Sequence, residues 1–202
     1  MTLSIAASIL YLSHLLPGNV VWKALSVSPL ALLAWLRRER LLALALALGS
    51  LGDVLLDLDP TLFVAGLGAF LAGHLVYTTL WVRSWPRPLR LPWTPIAVLL
   101  VSVVGLCAWL IPSLGGMAVP VVFYMLAITA MVASAMLTGL PWVVAGAVLF
   151  LISDSLLGIH KFRTAVPYRD FLVWTTYYLG QVAIALGYLM HKPGESGAER
   201  GP

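Results

Sequence analysis

Charge is scarce in this chain, with 12 Lys or Arg and 8 Asp or Glu among 202 residues. A soluble domain keeps about a quarter of its residues charged, so a water-exposed globule is excluded. Cysteine is scarcer still. Cys107 stands alone in an apolar run, which excludes an intrachain disulfide and a Cys-rich metal site. No Lys or Arg precedes Lys23, so the first apolar segment lacks the basic start of a signal peptide and reads as a membrane helix that stays. The formal net charge is +4, yet the basic residues are scattered over loops rather than gathered in a patch, and no nucleic-acid partner is expected.

Apolar residues fill the space left. They make up 61% of the chain, and the mean hydropathy is +0.97. About eight stretches are long enough to be read as membrane helices: 3–16, 20–36, 41–57, 61–82, 92–111, 114–137, 141–160 and 170–190. The breaks between them ("LPGN", "RRER", "LDLDP", "RSWPRPLR", "IPSLGG", "LTGLP" and "HKFRTAVPYRD") hold most of the proline, glycine and charge. The expected fold is all-α, a polytopic membrane domain over residues 1–190. Residues 191–202, "HKPGESGAERGP", read as a disordered tail. With alternating helix directions, the side of the N-terminus receives Arg37, Arg38, Arg40, Arg83, Arg87, Arg90, Lys192 and Arg200. The other side receives Lys161, Arg163 and Arg169. The excess places both termini in the cytoplasm.

Against that background a few ionisable residues stand out. A charged side chain at mid-membrane costs about 2.5–3.5 kcal/mol on insertion scales, so each is a functional candidate. They are Lys23, Asp53, Asp57, His74 and Asp154, with His160 and Asp170 near segment ends. Lys23, Asp53, Asp57, Asp154, Tyr177 and Gln181 all fall in the half of the membrane away from the termini, where they can line one cavity. Asp53 and Asp57 share a helix face at i, i+4. Phe70, His74 and Tyr77 form a second stripe, and Tyr177 and Gln181 a third. Plainer readings stand beside these. Asp57 can face headgroups at a helix end, His74 can be packed between helices, and Asp53 or Asp154 can pair with Lys23. His14 and His191 read as incidental.

The chain also resembles itself. "LGDVLL" at 51–56 matches "ISDSLL" at 152–157, which lays Asp53 over Asp154, 101 residues apart. The same offset lays "VVWKAL" over "VVFYML", hence Lys23 over Tyr124. With a loop six residues longer, "GH" at 73–74 lies over "GQ" at 180–181, and Phe70 over Tyr177. The expectation is two parallel four-helix halves, 1–91 and 92–190, related by an axis along the membrane normal. Two carboxyls meeting in a low-dielectric cavity cannot both ionise cheaply. The pair therefore offers an acid and a base, which suits a reaction passing through an oxocarbenium-like cation. A proton-coupled transporter also uses intramembrane carboxylates at a repeat interface, so it stays open as a reading.

In order and spacing, "GSLGDVLLDL", "GLGAFLAGHLVY", "LFLISDSLLGIHKF" and "TTYYLGQVAIALG" resemble the YhhN/TMEM86 family of eight-helix membrane proteins, from about Lys23 to Gly187. The resemblance implies a lysoplasmalogenase of the bacterial inner membrane. Such an enzyme hydrolyses the vinyl ether of lysoplasmenylethanolamine or lysoplasmenylcholine to a fatty aldehyde and the glycerophospho-alcohol. It places the acidic motifs on Asp53 and Asp154, the expected catalytic pair, and further motifs on His74, Tyr77, Tyr177, Tyr178 and Gln181. Lys23, Asp57 and Tyr124 join these as expected substrate-binding residues. The partners expected are the lysophospholipid and membrane lipids. Asp154 reads as the acid, because "LFLISDSLLG" is the more apolar of the two surroundings. Two departures stand out. Ala24 follows Lys23 where the family often has Pro, and His160 stands where it often has Asn. No cofactor is expected. His74, His160, Asp53 and Asp154 are possible zinc ligands by type, but no HxxxH or paired-His spacing occurs.

Overall fold

Once apolar runs are confined to a membrane, each backbone N–H and C=O must bond within its own segment, so helices are the natural outcome. The computed structural model describes residues 1–13, 19–85 and 91–191. His14, Arg87, Arg90, Lys192, Arg200 and the expected tail beyond residue 191 lie outside them. The described residues fold as helices joined by short turns, with no strand among them. The helices are α1 (Thr2–Ser13), α2 (Asn19–Leu36), α3 (Arg40–Leu58), α4 (Phe63–Arg83), α5 (Trp93–Leu114), α6 (Ala118–Met136), α7 (Pro141–Phe162) and α8 (Arg169–Met190).

Four segments are long and apolar enough to cross a membrane: Arg40–Leu58, Pro60–Arg83, Trp93–Met136 and Pro141–Phe162. The third holds both α5 and α6. At 44 residues it is about twice the length that one crossing needs. This is an integral membrane protein. Helices α1 and α2 are apolar but shorter; α1 reaches only about 18 Å. Helix α8 carries Tyr177, Tyr178 and Gln181, all of them buried.

The punctuation of the sequence sets the helix ends. A one-turn 3-10 helix (Pro60–Leu62) leads into α4, and Asp59 Oδ1 accepts a bond from the Thr61 N–H at 2.7 Å. That bond holds the exposed Asp59 carboxyl below the usual carboxylate range. Gly139, at φ +72°, turns the chain between α6 and α7. One break is displaced from its expected place. Pro112 sits inside α5, and the turn comes at Gly115, at φ +50°, followed by a 3-10 turn to Met117. Proline fixes φ at a helical value, whereas only the glycine takes the left-handed conformation cheaply.

Helix α3 packs between α2 and α4, α7 packs on α8, and α4 and α6 join the two groups, with α8 also touching α1 and α2. Small residues bring backbones close. A Cβ on Gly146 would lie 2.6 Å from the Gly180 carbonyl, and one on Gly52 would lie 2.6 Å from the Phe70 ring. Such contacts suit helices whose association gains nothing from hiding apolar surface from lipid. Helix α5 is held least: of its 22 residues only Leu99, Leu110 and Leu114 are buried.

Candidate functional site

A polar cavity of about 240 Å³ opens at the end of the bundle where α3 and α7 finish and α2 and α8 begin. Asp53 and Asp154 both line it, with Lys23, Asp57 and Tyr177. The sequence thus brings to one place the residues whose burial is hardest to explain by packing.

Lys23 does not pair with either of the two carboxylates at its centre. Its Nζ donates to Asp57 Oδ1 at 2.9 Å and lies 5.3 Å from the Tyr11 ring centroid and 5.5 Å from that of Trp174. The reason is height along the helices. Asp57 is one turn nearer the end of α3 than Asp53, level with the start of α2, where Lys23 lies. The ion pair expected as the plain explanation of Asp53 or Asp154 is therefore made by Asp57.

Each central carboxyl instead stands at the end of a hydrogen-bonded chain. Tyr77 Oη donates to Gln181 Oε1 at 2.7 Å, and Gln181 Nε2 donates to Tyr177 Oη at 3.2 Å. The Tyr177 hydroxyl in turn lies beside the Asp53 carboxyl. Every member is buried, Asp53 is 3% exposed, and its Oδ2 has no hydrogen-bond partner among the described residues. The second chain is shorter. Tyr124 Oη donates to Asp154 Oδ2, and His74 Nε2 lies 3.0 Å from Tyr124 Oη and 3.5 Å from Asp154 Oδ2. Here the carboxylate is 14% exposed. Asp154 is thus the less buried of the two, against the expectation from its apolar neighbours in sequence, because it faces two cavities at once. Next to it Ser153 Oγ donates to the Val173 carbonyl of α8 at 2.9 Å, which fixes the level of α7.

Asp154 occupies a boundary. Besides the polar cavity it lines a narrow apolar cleft between α4, α5, α6 and α7, whose walls include Leu67, Leu106, Leu110, Ile128 and Leu151. Phe63, Phe70, Leu56 and Leu157 are common to both spaces. An amphiphile with a polar head and an apolar tail would have its junction at Asp154.

Most of the expected residues converge here, directly or through a bonded neighbour. Tyr178 does not. Its hydroxyl meets Ser4 Oγ of α1 at 2.7 Å, because adjacent helical positions point about 100° apart and Tyr177 takes the cavity side. His160 also turns away, with Nδ1 accepting from the Val166 N–H at 3.1 Å. Among the described residues no three of His, Cys, Asp or Glu gather as a metal site.

Comparison with known proteins decides the kinship. The YhhN family matches residues 18–188, which take in α2 through most of α8. The chain belongs to the YhhN family. Among its relatives, the lysoplasmalogenase of Mycobacterium tuberculosis is 35% identical over 160 residues, 75% of this chain and 61% of the relative. The Bos taurus lysoplasmalogenase TMEM86A is 34% identical over 154 residues, covering 70% and 62%. The human lysoplasmalogenase TMEM86B is 32% identical over 152 residues, covering 74% and 64%. The chain thus spans about three-fifths of the length of these relatives. No solved structure matches it.

Knowing the family does not point to the cations at the cavity mouth. Lys161 and Arg169 line the same space as Lys23, and Lys161 Nζ lies 4.2 Å from the Phe63 ring centroid. The sequence signal was the basic break "HKFRTAVPYRD", which a count for orientation absorbs without assigning a site.

Proposed function

We propose that this YhhN-family protein hydrolyses the vinyl ether of a lysoplasmalogen. The observation that carries the reading is the position of Asp154, where a cavity rimmed by Lys23, Lys161 and Arg169 meets an apolar cleft. The glycerophospho headgroup occupies the cationic side, the alkenyl chain enters the cleft, and the C=C–O group lies between, against the two carboxyls. The printed names of the relatives support the same substrate class.

In the working mechanism Asp154 delivers a proton to the alkene carbon remote from oxygen, leaving an oxocarbenium cation. The Asp53 carboxylate stabilises that cation and takes a proton from the water that adds to it. The resulting hemiacetal collapses to a fatty aldehyde and the free glycerophospho-alcohol. One water is consumed, and no oxidant or reductant is required. For the next turnover Asp53 releases the proton it took from water and Asp154 regains one, both carboxyls opening on the polar cavity, while Tyr124 and His74 hold Asp154 in place. The sealed partners of Asp53 hold that carboxyl in one orientation.

The same reading covers topology. The chain crosses a bacterial inner membrane eight times, as parallel halves 1–91 and 92–190 with cytoplasmic termini. Its support lies in pairings that recur: α3 on α4 and α7 on α8, with Asp53 of α3 met by Tyr177 of α8 and Asp154 of α7 met by His74 of α4.

The test incubates purified protein with lysoplasmenylethanolamine and with a saturated acyl lysophospholipid. Aldehyde from the first and no fatty acid from the second is expected. Fatty acid release, or lipid movement across vesicles without aldehyde, would replace this reading with a lipase or a transporter.

A further inference from the structure

If the substrate is an amphiphile at Asp154, its chain needs a way out of the protein. The apolar cleft has about 60 Å³ of room, too little for a long alkyl chain. A wider groove of about 620 Å³ runs along the lipid-facing side of α5 and α7 and shares Leu151 and Ser155 with the cleft. The helix that forms its outer wall is the least buried of the bundle. Val98, Val101 and Val104 of α5 are exposed, and that helix touches α7 only sparingly.

Resting on the proposed hydrolysis, we infer that the alkenyl chain runs from Asp154 through this cleft and leaves for the bilayer between α5 and α7, and that Gly158 keeps the cleft open for the first part of the chain. Gly158 lies one turn beyond Asp154 on α7 and lines the cleft opposite Leu110. A Cβ there would meet only Leu110 Cδ1, at 3.9 Å, so a small side chain is tolerated. A leucine side chain would take the room that the first methylenes of the substrate need. Phospholipid substrates would then enter sideways from the bilayer, tail through the α5–α7 gap and head into the cationic cavity.

Two measurements decide this. The first uses a lysophospholipid with an uncleavable alkyl ether chain that ends in a diazirine, bound to the full-length protein and irradiated. Label on α5 and α7 around Leu106 and Leu151 is expected, falling about tenfold in Gly158→Leu as buried methylene contacts are lost. Label confined to other faces, or unchanged in Gly158→Leu, would overturn the path; labelling of the unaltered protein decides it even where the variant fails to fold. The second compares octenyl and octadecenyl lysoplasmalogens. Gly158→Leu should raise KM about tenfold for both chains, and adding Leu110→Ala should restore it for both. An unchanged KM for both chains would take Gly158 out of the path. Absence of aldehyde from the unaltered protein with either chain would instead refute the hydrolysis reading, with the label map still deciding the path.

Discussion

The two aspartates occupy matching places in the sequence and unlike places in the molecule. Asp53 closes a chain of four buried groups running back to Tyr77, itself stacked on Trp81 at 5.5 Å between ring centroids. Asp154 has a shorter chain behind it and faces both a polar cavity and an apolar cleft. One carboxyl is anchored and the other is accessible. Aspartates in similar sequence surroundings thus stand in unlike environments, set by what the fold packs around each.

This comparison can be broken at several points. Asp154→Asn should lower kcat for aldehyde release by about a hundred- to ten-thousand-fold, the usual worth of a general acid, with the protein still folded by its melting temperature. Asp53→Asn should also remove most activity. A variant of either residue that turns over normally would strike it from the mechanism. The chains behind them should separate more finely. Tyr124→Phe removes the hydrogen bond that positions Asp154 and should cost about tenfold or more in kcat with little change in melting temperature. Tyr77→Phe, in the sealed chain, leaves a buried Gln181 oxygen without its donor. It should cost about 1–3 kcal/mol of stability, read as a lower melting temperature, and a smaller share of activity. If Tyr77→Phe proved the more damaging to kcat at unchanged stability, the division into an anchored and an accessible carboxyl would be wrong. The smallest effect belongs to the rim. Lys161→Gln should raise KM a few-fold, with kcat nearly unchanged, because an exposed charge contributes roughly 0–1 kcal/mol; an unchanged KM would remove Lys161 from headgroup binding.

Most of the fold was legible because the chain is apolar wherever it is helical and interrupted wherever it turns. Proline misled only at Pro112, where a helix-compatible φ let α5 run on to the glycines. That Asp53 and Asp154 would line one cavity was legible for an energetic reason: burying either carboxyl alone is costly. What escaped depends on three-dimensional height and direction. That Lys23 meets Asp57 follows from how far each lies along its helix, a comparison no single segment contains. Tyr178 sits in the same motif as Tyr177 yet meets α1 instead, since neighbouring helical positions diverge. Lys161, in the last turn of α7, and Arg169, at the start of α8, flank a basic break, where charge is expected for orientation alone and gives no sign that it borders a cavity.

The account stands most directly on where the proton goes. If Asp154 protonates the alkene carbon, turnover of a lysoplasmalogen in deuterated water must yield an aldehyde with a single deuterium on the carbon beside the carbonyl, detectable by mass spectrometry of the freshly released product. Aldehyde formed without deuterium at that carbon would contradict carbon protonation, and with it the role assigned to the pair Asp53 and Asp154.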